Sequence, residues 1–247
     1  LSQWRSSWLS REGVFAVLSY LPAGAFCVSF LIPTPFNSII DIICLLTIAF
    51  SLATVFCTAK IYASLKTIRQ WNHLLVVPIY LIIGLFDGAI FLMVLLTIID
   101  GLQFFQLNYF IIFLGAVAGL AKILYWWSID SSQSQSSTST ATGLGSSNKS
   151  VSMLDAPTTS ETFIMREMGF AIARKHSRRL RLITILTLSI IPIIIIFLMT
   201  QPIALVSPMV LGIIAILFSY FGTIIERWLF FAEAKHVAML YYGASKV

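Results

Sequence analysis

The chain has 247 residues, of which 58% are hydrophobic and only 11% charged, with a mean hydropathy of +0.92. An ordinary soluble domain is about 45–50% apolar and about 25% charged, so this composition excludes a soluble globular fold, intrinsic disorder, collagen and disulfide scaffolds. The net charge of +6 reads as membrane topology rather than polyanion binding, and no nucleic-acid partner is expected.

The expected fold class is an all-α polytopic membrane protein, because only helices and closed barrels satisfy their backbone inside a bilayer. Six segments reach the roughly 20 apolar residues that a crossing requires. In chain order they are 13–32, 38–59, 74–99, 107–127, 182–200 and 203–225. Pro33, Pro35 and Pro202 fall in short connections, where a helix can stop. Pro78, Pro192 and Pro208 fall inside spans, which membrane helices tolerate. The chain opens on Leu1 rather than Met, and the true N-terminus is expected to lie upstream.

The connections alternate in charge. Segments 33–37, 100–106 and 201–202 carry no Lys or Arg, whereas 1–12, 60–73, 128–181 and the C-terminal segment lie on the other side. Counting cations a turn inside the helix ends, such as Lys122, that side holds all 16 Lys and Arg. The positive-inside rule puts this face and both ends of the chain in the cytoplasm. Lys122 is expected to snorkel to that surface.

Four parts follow. Residues 1–127 form a four-helix transmembrane part, and 128–160 a flexible polar cytoplasmic linker, with 131–152 reading SSQSQSSTSTATGLGSSNKSVS. Such a segment buries nothing. Residues 161–181 form an amphipathic basic surface helix, with Ile164, Met168 and Ile172 at helical spacing and the cations behind them. It either anchors to anionic lipid or docks a soluble partner. Residues 182–247 form a two-helix part with an interfacial C-terminal segment.

Charges inside a membrane are costly and mark candidate sites. Asp87 stands near the middle of the third span, either as a hydrogen-bonded carboxyl facing the bundle or as a proton relay. Asp41 and Asp100 lie at the uncharged face and read as interfacial. Glu12 opens the first span beside Arg11, close to Trp4 and Trp8. A carboxylate there is stabilised by the helix dipole. Its functional reading is a proton acceptor for a hydroquinone, which needs an apolar slot, aromatic walls and a titratable partner near the interface. Glu226, Arg227 and Glu233 sit close together beyond the last span and read as an interfacial ion-pair cluster.

Cys27, Cys44 and Cys57 lie in apolar stretches without a CxxC pair, which leaves no iron–sulfur cluster or structural zinc in this chain. His73, His176 and His236 lie outside span interiors, so no haem is expected.

The runs LSQWRSSWLSREGV (1–14), CTAKIYASLKTIRQW (57–71), REMGFAIARKHSRRLR (166–181) and ERWLFFAEAKHVAMLYYG (226–243) resemble the DmsC-type membrane anchors of dimethyl sulfoxide reductase-like molybdoenzymes. The resemblance covers essentially the whole chain. It implies an eight-helix anchor without prosthetic groups, hence no molybdenum, of which this chain holds six transmembrane helices. The two helices before Leu1 would carry a His associated with the quinone site. It implies two partners besides the lipid bilayer: a ferredoxin-like iron–sulfur subunit and a molybdopterin catalytic subunit. The anchor would exchange electrons with menaquinone or ubiquinone in the bacterial inner membrane. Glu12 matches the carboxylate after the family's quinone loop, and Arg227 matches an Arg near the end of the last helix. Arg11, Trp8 and Trp4 join them as candidate quinone-binding residues. Arg69, Arg174, Lys175, Arg178 and Arg179 are candidate partner-docking residues.

The basic docking face, read as cytoplasmic, favours the anchor of a membrane-bound sulfite-oxidising molybdoenzyme that reduces quinone. A quinol-oxidising dimethyl sulfoxide or polysulfide-type reductase is the alternative. Two further readings are an ion-coupled secondary transporter working through Asp87 and a purely structural anchor.

Overall fold

The computed structural model describes residues 3–29, 37–100, 105–132, 137–143, 151, 155, 175–201, 206–235 and 237–240. Among them, six helices are long and apolar enough to cross a membrane, and the chain is an all-α, multi-pass membrane protein. The first four are α1 (Trp8–Ser29), α2 (Asn37–Ala63), α3 (Val76–Asp100) and α4 (Phe105–Ser131). A short helix, α5 (Thr138–Thr142), lies in the polar linker. The fifth crossing is continuous over Ser177–Met199. It consists of α6 (Ser177–Ile185), a π-helical turn (Leu186–Ile190) and α7 (Ile191–Met199). The sixth is α8 (Pro208–Ala232).

Several boundaries differ from the sequence reading. The first helix begins at Trp8 rather than 13. Pro208 opens α8 instead of interrupting it, a position where a missing N–H costs nothing. Pro22 lies inside α1. Residues 177–181, assigned by sequence to the surface helix, are the first turn of the fifth crossing. The remainder of that expected helix through 174, much of the linker, Arg174 and His236 lie outside the described residues.

The core belongs to α3, α4, α6–α7 and α8. Ile79, Ile83, Phe86, Ile90 and Met93 line one face of α3 at helical spacing and pack with Ile111, Leu188, Ile196 and Leu229. The α1–α2 hairpin stands to one side and joins this bundle through α2 and α3. No residue of α1 is buried. Hydroxyls inside the spans are satisfied locally. Thr47, Thr54, Thr97, Thr184 and Thr187 each donate to the carbonyl four residues back, so these polar groups cost little in an apolar phase.

The π turn has a local cause. The ring of Pro192 offers no N–H and crowds the carbonyl of Leu188, four residues earlier. The ladder opens there, and the N–H of Ile191 bonds the carbonyl of Leu186 five residues back. The widened backbone meets Gly222 of α8. A Cβ on Gly222 would stand 2.4 Å from the Leu188 nitrogen and 2.6 Å from its Cα. On the other side, Ser189 Oγ donates to the Gly115 carbonyl at 2.8 Å.

Gly222→Ala is therefore expected to destabilise the bundle by about 1–3 kcal/mol through overpacking against backbone. Gly84→Ala on α3 meets nothing within 4 Å and should be neutral or slightly stabilising. Melting temperatures of the two variants in the same detergent check the contrast.

Candidate functional site

Two polar regions lie toward the basic end of the bundle. The first is a cavity between the start of α1 and the end of α2. Trp8, Arg11, Glu12 and Phe15 recur at helical spacing on α1, and Ala53, Phe56, Cys57 and Lys60 do the same on α2. Where these faces meet, a cavity of about 460 Å³ opens. Its walls are Trp4, Trp8, Phe15 and Phe56, with Ala53 and Cys57 from α2 and the cations Arg5 and Arg11.

The segment before α1 is folded back by Arg11. Its Nε donates to the Trp4 carbonyl at 3.0 Å, and its Nη2 donates to the Arg5 carbonyl. The same guanidinium stands 4.4 Å from the Trp8 ring centre. Trp8 meets Phe56 edge-on at 6.0 Å. Lys60 Nζ stands 5.8 Å from Phe56 and 6.0 Å from Trp8. Glu12 does not line the cavity. Its carboxylate turns to Thr58, whose Oγ1 lies 2.6 Å away, beside Cys57 at the cavity edge.

The second region is a buried charge cluster joining α3, α4 and α8. Lys122 Nζ donates to Glu226 Oε1, and Arg227 Nε donates to Glu226 Oε2. Both Lys122 and Glu226 are fully buried. Lys122 does not snorkel. It starts about 14 Å inside the end of α4 at 1.5 Å per residue, and Glu226 meets it at similar depth from α8. Tyr125 and Trp126 stand 4.3 Å and 4.9 Å from the ammonium. The Arg227 guanidinium lies 3.7 Å from the Tyr80 ring centre, a cation–π contact. One of its buried nitrogens, Nη1, has no hydrogen-bond partner.

Glu226 is thus an interior residue rather than the interfacial one expected from sequence, and Glu233 pairs elsewhere. Arg181 Nε donates to Glu233 Oε1 at 2.8 Å, and its Nη1 and Nη2 donate to Asp130 at 2.5 and 3.1 Å.

Asp87 lies about 17 Å along α3 from Val76, near half the bilayer thickness. It is a buried, hydrogen-bonded carboxyl facing the bundle. Ser219 Oγ and Thr223 Oγ1 on α8 hydrogen-bond its two oxygens, the second at 2.8 Å. Of the residues expected in one quinone site, Trp4, Trp8 and Arg11 share the cavity and Glu12 stands at its edge. Arg227 belongs to the buried cluster with Tyr80 and Glu226. Lys175, Arg178 and Arg179 are exposed, Arg69 is half-buried, and Asp41 is exposed at the uncharged end. Among the described residues no three His, Cys, Asp or Glu side chains converge on a metal-sized site.

Sequence reasoning missed the α2 half of the cavity, Phe56, Cys57, Thr58 and Lys60. It also missed the Lys122–Glu226 pair. The signal for the pair was present: two opposite charges at similar depth in different spans, each too costly to leave alone.

The chain is 30% identical over 253 residues to the C subunit of the sulfite dehydrogenase of Allochromatium vinosum, covering 98% of this chain and 75% of that protein. The chain belongs to this family of DmsC-type membrane anchors. No family profile matches it, and no solved structure matches it.

A loop over the basic end of this anchor ties the helices together. Trp71 Nε1 donates to the Phe230 carbonyl at 2.9 Å, and Tyr125 Oη donates to the Gln70 carbonyl at 2.8 Å. His73 accepts at Nδ1 from the Leu75 N–H (3.2 Å), so Nε2 carries the proton toward Ser128 Oγ (2.9 Å). Burial, and secondarily the charge of Arg69, holds its pKa below the usual histidine value.

Two expectations follow. Glu226→Gln strands the buried Lys122 and the half-buried Arg227, whereas Lys122→Met leaves Glu226 paired with Arg227. The first should cost about 3–5 kcal/mol and the second less, read as folded yield and melting temperature in detergent. For His73, the unfolded chain binds its proton more tightly. Its contribution to stability is complete above about pH 6.5 and is lost as the pH falls below that value. His73→Gln should flatten this part of the pH–melting profile.

Proposed function

We propose that this chain is the membrane anchor and quinone-reactive subunit of a three-subunit molybdenum/iron–sulfur oxidoreductase. Its direction is quinone reduction during sulfite oxidation, as the name of the Allochromatium vinosum relative suggests. The observation that carries the reading is the cavity beside Trp8: aromatic walls, flanking cations and a carboxylate at its edge. An apolar slot with a few convergent polar groups suits a lipid-borne redox ring.

A quinone takes up two electrons and two protons to become a quinol. In this reading the electrons come from a ferredoxin-like iron–sulfur subunit, which a molybdopterin subunit supplies. The ring packs against the aromatic walls that Trp8 and Phe56 supply. Arg11 and Lys60 hold positive charge near the oxygen that gains electrons. Glu12 passes one proton to that oxygen and is refilled from the basic side, and the second oxygen takes its proton from water. The same residues run backwards would serve quinol oxidation, and the relative's name favours the forward direction.

The charge asymmetry supports placing the basic end in the cytoplasm of a bacterial inner membrane. Exposed Lys175, Arg178 and Arg179 at that end suit an acidic partner surface, and the same role is assigned to Arg69 and, by sequence, to Arg174. Asp87 and Arg227 are assigned to holding α3, α4 and α8 together, not to the quinone.

In membranes holding the whole complex, Glu12→Gln should lower sulfite-driven quinone reduction by about 10²-fold. Sulfite oxidation with a soluble dye acceptor should stay at the wild-type rate. Unchanged quinone reduction in Glu12→Gln would remove Glu12 from the chemistry.

A further inference from the structure

The hydroxyl of Thr58 has two acceptors. Its Oγ1 lies 2.6 Å from Glu12 Oε1 and 3.0 Å from the carbonyl of Thr54. Thr47 and Thr54 on the same helix also donate to the carbonyl four residues back, both at 2.8 Å. Thr58 has the longer back-bond of the three and adds a short bond to a carboxylate 46 residues away.

A hydroxyl owns one proton, and both an ionised carboxylate and a backbone carbonyl only accept. The proton can point squarely at only one of the two acceptors at a time. The two contacts describe two positions of one rotor. With Glu12 ionised, Thr58 donates to the carboxylate in a charge-assisted bond. With Glu12 protonated, the carboxyl O–H donates to Thr58 Oγ1, and the threonine proton turns to the Thr54 carbonyl. No heavy atom moves, and neither state leaves a half-buried donor unpaired.

We propose that Thr58 is the positioning residue for Glu12, a hydroxyl rotor that satisfies its carboxyl in both protonation states. The proposal deepens the quinone reading and rests on it, because a two-way rotor is useful only to a carboxyl that cycles its proton. The cations beside this pair in sequence are Arg11 on α1 and Lys60 on α2, and both stand by the Trp8 ring. Arg11 already donates to the Trp4 and Arg5 carbonyls, which leaves Thr58 as the partner that shares a proton with Glu12. The rotor also keeps Glu12 fixed at the cavity edge through the cycle, since the threonine is anchored to its own helix backbone.

The test uses the whole purified complex, with decylubiquinone as acceptor. Infrared difference spectra between acid and alkaline pH report protonated carboxyls, and the band lost in Glu12→Gln identifies Glu12. In Thr58→Val that band should move to higher frequency, and kcat for quinone reduction should fall about tenfold, the worth of one hydrogen bond to a charged group. Thr58→Ser should restore both. Thr58→Ala serves if the valine variant does not assemble.

A Glu12 band unmoved in Thr58→Val, or the absence of any Glu12 band, overturns the proposal. So does a wild-type kcat in Thr58→Val alongside a lost kcat in Glu12→Gln, which leaves the quinone reading standing. A wild-type kcat in Glu12→Gln overturns the quinone reading itself and, with it, the role given to Thr58.

Discussion

The buried pairing of Lys122 with Glu226 is the constraint on which the rest of the bundle depends. Neither charge is tolerable alone at that depth. A lone ammonium or carboxylate in an apolar medium faces a solvation cost of several kcal/mol. Together with Arg227 they fix the rotation of α4 against α8, and the Tyr80 ring under Arg227 adds α3. Apolar packing between membrane helices is nearly as good against lipid as against protein, so it sets register weakly. A charge pair does not permit a shifted register, because a one-turn slip would strand the Lys122 ammonium without its carboxylate.

This matters because the chain is divided. A Ser- and Thr-rich run after α4 separates α6 and α8 from α3 and α4 along the chain. Apolar packing crosses that division, and specific polar contacts accompany it. Lys122 meets Glu226, Asp87 meets Ser219 and Thr223, Arg181 meets Asp130, and Ser189 meets the Gly115 carbonyl. They occur at several depths, from the basic end to the bundle interior. The π turn before Pro192 takes part as well, since it presents the backbone of Leu188 to Gly222. A proline that would weaken an isolated helix here shapes a contact surface.

The cavity beside Trp8 is built on different terms. The α1–α2 hairpin packs along its length, and the cavity opens at its basic end, where Trp8 and Phe15 face Ala53, Phe56 and Cys57. Arg11 closes the N-terminal turn by binding two carbonyls, and that turn brings Trp4 over the same space as Trp8. A site on this hairpin lies at the basic end of the bundle. The rigid charge cluster and the open hairpin divide the labour: one sets the scaffold, the other offers a slot.

The sequence by itself determined the crossings, the one-sided placement of the cations and the family. It also showed that Trp4, Trp8, Arg11 and Glu12 belong to one stretch. Those features are local: each follows from the run length of apolar residues, the charge of a loop or a contiguous motif. Only the tertiary structure decided which charges meet. Lys122 read as a snorkelling side chain because its span ends nearby, and Glu226 read as interfacial because apolar residues stop before it. Their burial follows from a partner on a helix 104 residues away. Arg227 was grouped with the quinone residues by motif, yet its neighbours are Tyr80 and Glu226. Thr58 was invisible in sequence because an intramembrane threonine ordinarily bonds its own backbone. Its second acceptor exists only because α1 folds back along α2 and brings Glu12 within reach.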